Sequence, residues 1–156
     1  MEPDSTTRLA SELTRFARLG GRAKAMMSTG DFGAEFSALM LLFPLSSHGP
    51  MRITDLAEIK GADPSTVSRQ AAQLVKAGLA RREADPADGR ASRLAVTDRG
   101  DDACRHLHEA RHALLSRVLS DWPEDRVDAF VDLFALFNSS VEELLRSPST
   151  ASRETS

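Results

Sequence analysis

The sequence of 156 residues holds a single cysteine, Cys104, no tyrosine, one tryptophan and only 5% aromatic residues. One thiol rules out an intrachain disulfide, so packing alone must hold any core, and a reducing cytoplasm is the expected compartment. No apolar run approaches the roughly 20 residues that a membrane-spanning helix requires. The opening Met1-Glu2-Pro3-Asp4-Ser5 is acidic and polar, so no secretory leader is expected there. Also missing are a phosphate-cradling P-loop, a dinucleotide fingerprint and a serine-nucleophile elbow, so neither an enzyme nor a cofactor is expected. Strong net charge is lacking too. The formal charge is −3, with 41% hydrophobic and 28% charged residues, which describes an ordinary globular chain with room for one domain and a real core.

The charge that is present is unevenly spread. Between Pro64 and Arg93, Arg69, Lys76, Arg81, Arg82, Arg90 and Arg93 stand against Glu83, Asp85 and Asp88, six bases to three acids. From Asp121 onward acids outnumber bases. A basic face on an acidic body suits electrostatic capture of DNA, although solvated surface arginines make the same pattern.

Periodicity sets the order of elements. Leu9, Leu13, Phe16, Leu19, Ala23 and Met26 form one helical stripe over about 6–27, with Gly20-Gly21 expected to bend or fray it. A second helix is expected from about Ala34 to Leu45, ended or kinked by Pro44. Thr54 is placed to cap a short helix from Asp55 to about Ile59. Asp63 then Pro64 is a start signal for the next, which should run to Ala77 and stop at Gly78. Leu79 to Ala84 and Arg93 to Thr97 read as strands joined by the turn-rich 85–92. Helical periodicity returns over Asp98 to Leu119. It resumes after Pro123 with Val127, Phe130, Val131, Phe134, Phe137, Val141, Leu144 and Leu145 on one side. No internal repeat is present. The fold class is therefore mainly α with a small β-hairpin wing: a winged helix-turn-helix with N- and C-terminal dimerisation helices.

Two stretches carry a family resemblance. One runs from Ile53-Thr-Asp-Leu-Ala-Glu through Asp63-Pro-Ser-Thr-Val-Ser-Arg69 to Leu74-Val-Lys-Ala-Gly-Leu-Ala-Arg-Arg82. The other is Asp85-Pro-Ala-Asp-Gly-Arg90 followed by Leu94-Ala-Val-Thr-Asp-Arg-Gly100. Together, in register, they resemble the helix-turn-helix and wing of the MarR family of transcriptional regulators. Ala80 departs from the pattern, which more often has a larger aliphatic residue there.

The resemblance implies a homodimer that binds near-palindromic duplex DNA, most often as a repressor, and is released by a small aromatic or phenolic effector. Ser65, Thr66, Ser68, Arg69, Gln70 and Gln73 would lie on the recognition helix, their hydroxyls suited to phosphates, arginine to guanine and glutamine to adenine. A solvated polar face would carry the same residue types. Arg90 is expected at the wing tip to enter the minor groove, oriented by a salt bridge from Asp88, with Arg93 as a phosphate contact. The expected division is 1–33 and 120–147 for dimerisation, 34–119 for the DNA-binding region with its linking helix, and a disordered tail at 148–156. The orphan apolar stripes of the outer helices carry the dimer expectation, because a domain of this size has nowhere to bury both.

Three further readings attach to the helix after the wing. His108-Glu-Ala-Arg-His112 matches the HExxH zinc pattern, but no histidine follows to complete a catalytic site. The pair could still make a metal-responsive regulator. Cys104 shares the stripe but stands about 12 Å along the axis from His112, too far for all three to hold one ion. Cys104 is also a candidate redox switch, against the alternative of a small buried apolar residue. A winged-helix protein-interaction module without DNA binding is the remaining alternative, disfavoured by cations on both the recognition helix and the wing.

Overall fold

A computed structural model describes residues 4–27 and 30–146. Its elements are α1 (Ser5–Met27), α2 (Phe36–Leu39), α3 (Leu42–His48), α4 (Ile53–Lys60), α5 (Pro64–Lys76), β1 (Ala80–Asp85), β2 (Asp88–Val96), α6 (Asp98–Val118) and α7 (Glu124–Arg146). By their contacts they fall into two units, Met1–Leu114 and Leu115–Ser156. Among the described residues no helix is long and apolar enough to cross a membrane. The expected tail at 148–156 lies outside the described residues.

Several boundaries differ from the sequence expectation for local reasons. The Asp4 carboxylate accepts the Thr7 amide at 2.7 Å and so caps α1, which then continues through Gly20-Gly21 without interruption. The helix expected over 34–45 is instead two, and Pro44 sits inside α3 rather than ending a helix. It is the third residue of α3, where the missing N–H would have had no intrahelical acceptor. Thr54 caps nothing: α4 begins at Ile53 with Arg52 at the cap position and no side-chain cap bond. Asp63 and Pro64 do open α5, yet the Asp63 carboxylate makes no capping bond.

One apolar core serves the first unit. Leu39, Leu41, Leu42 and Leu45 meet Leu56 of α4, Val67, Ala71 and Leu74 of α5, Leu79 and Leu94 at the hairpin base, and Ala103 and Leu107 of α6. Each fully buried Leu contributes about 1.5–3 kcal/mol. Ala80 is itself buried in this cluster. The hairpin is antiparallel, with Ala80 opposite Val96 and Glu83 opposite Arg93. Its turn is only Pro86-Ala87, because β2 begins at Asp88 rather than near Arg93. A register slip follows: Ala84 pairs with Ser92 but Asp85 with Asp88, so Gly89, Arg90 and Ala91 bulge from the ladder. Met51 exchanges both backbone hydrogen bonds with Leu94 and anchors the hairpin to the segment before α4.

The Thr97-Asp-Arg-Gly100 stretch has a clear mechanical reason. Gly78 ends α5 in the left-handed region at φ 73°, with the Leu79 amide closing back on Leu74 O at 2.9 Å. Thr97 Oγ1 donates to Gly78 O at 2.7 Å and accepts the Gly100 amide at 3.1 Å, so one hydroxyl caps α6 and ties it to the end of α5. Gly100 packs so closely that a Cβ there would lie 1.9 Å from Leu79 O. Only glycine fits.

The outer helices carry apolar side chains that this single chain leaves uncovered. On α1, Leu9, Leu13, Phe16 and Leu19 are exposed, Phe16 at 70%. On α7 no residue is buried, and Phe130, Val131, Leu133, Phe134, Leu136, Leu144 and Leu145 are exposed. Trp122, Phe130 and Phe134 form a local aromatic row, with centroids 5.8 Å apart at each step.

Candidate nucleic-acid interface

The amphipathic pattern of α5 decides which side chains face out. Val67, Gln70, Ala71 and Leu74 point into the core, while Ser65, Ser68, Arg69, Ala72 and Lys76 make a continuous exposed stripe at helical spacing. Thr66 is half-buried beside it. Lys76 belongs to this stripe although it was not among the contact residues expected from the sequence; its spacing of seven residues from Arg69 and four from Ala72 was the signal available.

Gln70 departs from expectation. It is 8% exposed, and its Oε1 accepts a hydrogen bond from Lys60 Nζ at 2.5 Å. The same ammonium donates to Ser37 O at 2.6 Å, joining α2, α4 and α5 through one group. Burial lowers the Lys60 pKa, and Lys24 nearby adds to the effect. Gln73 is also engaged with the protein, its Oε1 accepting the Glu35 amide at 3.1 Å ahead of α2. Gln73 therefore ties α5 to the start of α2 and Gln70 ties it to α4 through Lys60, because a helix with one buried face must satisfy the polar groups it places there.

In the wing, Asp88 holds Arg90 by the backbone: its Oδ1 accepts the Arg90 amide at 3.1 Å. The expected Asp88–Arg90 salt bridge is absent among the described residues. The carboxylate is used to shape the bulge, which leaves the Arg90 guanidinium exposed and without an ion pair. Arg93 is committed elsewhere. It donates to Glu83 across the ladder at 2.6 Å, and its Nε is buried with no acceptor, which argues against a phosphate role. Arg81 reaches the other oxygen of Glu83 at 3.3 Å.

Arg52, absent from the sequence-based site, donates from Nε to buried Asp85 at 2.5 Å and so ties the base of the wing to the start of α4. Asp85 also accepts the Ala87 amide. That backbone bond, with Arg52 beside it, holds the carboxyl below its ordinary value, and Asp85 in turn raises the Arg52 pKa. No local pattern links positions 33 residues apart, so this pair was not legible in advance. With Glu83 and Asp85 satisfied by Arg93, Arg81 and Arg52, the cations of this region without an ion pair among the described residues are Arg69, Lys76, Arg82 and Arg90.

The histidine and cysteine candidates occupy different surroundings. Phe43 takes His108 edge-on at 4.5 Å, and Arg111 donates to His108 Nδ1 at 3.0 Å. A guanidinium there opposes a metal cation electrostatically. Among the described residues no group of three His, Cys, Asp or Glu side chains is placed to hold a metal ion. Cys104 is buried, and its thiol pKa is raised chiefly by that burial, with Asp101 adding to it and a Ser46 hydrogen bond opposing. A buried thiol held protonated is a poor nucleophile.

Phe36, Met40, Phe43, Leu107 and Arg111 line a small apolar cleft. Arg111 lies 5.1 Å from the Phe43 centroid and Lys24 5.0 Å from that of Phe36, so each ring faces a cation.

A helix pair with an outward hydroxyl and cation stripe, next to a hairpin whose bulge presents an arginine, defines a winged helix-turn-helix DNA-binding protein. Residues 36–92 match the model of the MarR family. The uncharacterized HTH-type transcriptional regulator YxaD of Bacillus subtilis (strain 168) is 35% identical over 104 residues, 67% of this chain and 73% of that protein. The HTH-type transcriptional repressor MdtR of the same organism is 30% identical over 95 residues, covering 61% of each chain. Among solved structures, the PcaV transcriptional regulator from Streptomyces coelicolor in complex with its natural ligand shares the fold, with a TM-score of 0.66 at 21% identity over 90% of this chain and 99% of that one. The chain belongs to the MarR family of DNA-binding transcriptional regulators.

Proposed function

We propose that the protein acts in the cytoplasm as a homodimeric repressor that occupies a near-palindromic operator until a small molecule releases it. The observation that carries the DNA contact is the exposed stripe of α5, with Ser65, Ser68, Arg69 and Lys76, together with the unpaired Arg90 of the wing. Thr66 lies at its edge. Helix α5 enters the major groove, and Arg90 reaches into the minor groove, where negative potential favours a guanidinium. The wing is held at its working angle by Arg52–Asp85 and by the Asp88 bulge.

Dimerisation is supported by the large apolar side chains left exposed along α1 and along α7, Phe16, Phe130 and Phe134 among them. Repression by occupancy is supported by the likeness to MdtR, whose name describes a repressor. The effector reading rests on the cleft beside α2, where Phe36 and Phe43 offer aromatic faces and Arg111 a carboxylate partner. A small aromatic acid suits the chemistry of this lining, and the cleft must widen and Arg111 leave His108 for one to enter.

The test is a mobility shift with duplex DNA from upstream of the protein's own gene, at low salt where phosphate contacts are strongest. A shift reversed by an aromatic acid, with reversal lost in Arg111→Ala, supports the whole reading. No shift at low salt refutes the DNA assignment, and a monomer in sedimentation at micromolar concentration refutes the dimer.

A further inference from the structure

With its two glutamines withdrawn, α5 has little left that can tell one base from another. We infer that each recognition helix reads one guanine through Arg69 and reads no adenine through an amide. The inference rests on the reading of α5 as the helix that enters the major groove. Guanine presents two acceptors there, O6 and N7, and a guanidinium supplies two matching donors. Adenine presents a donor and an acceptor, so reading it requires a side chain with both a free acceptor and a free donor.

Neither glutamine qualifies. Gln70 is buried with its Oε1 on the Lys60 ammonium. Gln73 holds its Oε1 on the Glu35 amide, which turns the carboxamide oxygen to the segment ahead of α2, so pairing with an adenine edge would require that bond to break. No asparagine occurs in α5. The hydroxyls of Ser65, Thr66 and Ser68 suit phosphates or any base edge and discriminate little. Ala72, one turn after Arg69, exposes a methyl group that matches the C5-methyl of thymine. Lys76 is a point charge for the backbone. The half-site therefore holds one essential guanine, with the remaining preference carried by thymine contact and by groove shape.

The experiment selects binding sequences from a randomised duplex pool with the full chain and three variants. For the wild type, one G·C pair per half-site should dominate, and replacing that guanine by 7-deazaguanine should weaken binding roughly 5- to 140-fold. Arg69→Ala should flatten the preference at that position alone. Arg69→Lys, which keeps the charge and donors but loses the rigid planar fork, should recover affinity and only part of the preference. Gln73→Glu keeps the acceptor for the Glu35 amide and loses the donor. Its added charge should lower affinity for every sequence and leave the profile unchanged. Lost preference at an A·T position in Gln73→Glu, or guanine preference that survives Arg69→Ala, would overturn the inference. Failure to recover any duplex at low salt instead overturns the underlying DNA-binding reading, so the two failures are distinct.

Discussion

Replacing Gly100 by alanine should destabilise the protein although the substitution lies in a helix, where alanine is normally favoured by up to about 1 kcal/mol. The added Cβ would stand 1.9 Å from Leu79 O, 2.7 Å from Val96 Cγ2 and 2.9 Å from Leu79 C. Two of those three atoms are backbone, so no side-chain rotation relieves the clash. Helix α6 must move off the hairpin base by roughly 1 Å, which overpacking data put at about 1–3 kcal/mol. That movement also pulls the Gly100 amide from Thr97 Oγ1, a helix cap worth about 1 kcal/mol. Together these amount to about 2–4 kcal/mol, a large share of a typical 5–15 kcal/mol of stability. At about 2–4 °C per kcal/mol for a chain of this size, the melting temperature should fall by on the order of 5–15 °C. Circular dichroism melts at one fixed protein concentration measure this, since association would make the midpoint depend on concentration. Gly89→Ala is the control, because nothing lies within 4 Å of its added Cβ and its φ is not positive. A Gly100→Ala melt within about 2 °C of wild type would refute the close-approach argument.

Other outcomes follow from the same geometry. Arg90→Ala should leave the melt unchanged while weakening DNA binding and lowering the salt slope by about one contact; unchanged affinity would remove Arg90 from the interface. Asp85 has a depressed carboxyl, so its stabilising contribution is full above its unfolded value near 3.8 and is lost as pH falls through the lower folded value. The wild-type melting temperature should therefore drop more steeply than that of Asp85→Asn on acidification below about pH 4, and parallel curves would refute the role of the Arg52–Asp85 pair. Cys104 should resist thiol reagents at pH 7 in the native protein and react fully in denaturant; complete native labelling within minutes would show the thiol is neither buried nor held protonated. Lys60→Met removes the ammonium shared by Ser37 O and Gln70 Oε1, and should weaken DNA binding without touching any exposed cation. Unaltered affinity would show that this clasp does not position α5.

The order of elements was legible because it depends on local periodicity. On α5, Val67, Ala71 and Leu74 recur at helical spacing and all three are buried in the core. The Asp63-Pro64 start and the Gly78 stop of α5 are likewise local chemistry, and both hold as boundaries. Failures came where one residue had two compatible uses. Pro44 can end a helix or sit in its first turn, and the packing of Leu42 and Leu45 selects the second. Asp88 can bind a side chain or a backbone amide, and the bulge selects the amide.

The candidate interface divides in the same way. By itself the sequence determined a MarR-type winged helix-turn-helix with hydroxyls and cations on its recognition helix, because residue type and helical period are local properties. Tertiary structure alone decided which polar groups face out. Gln70 turns to Lys60 of α4, Gln73 to the Glu35 amide ahead of α2, and Arg93 to Glu83, because these partners come within hydrogen-bond reach only after folding. Arg69, Lys76 and Arg90 remain exposed because no acid was brought to them. A buried polar group must find its partner or pay the desolvation cost, and that requirement belongs to the assembled fold rather than to any stretch of sequence.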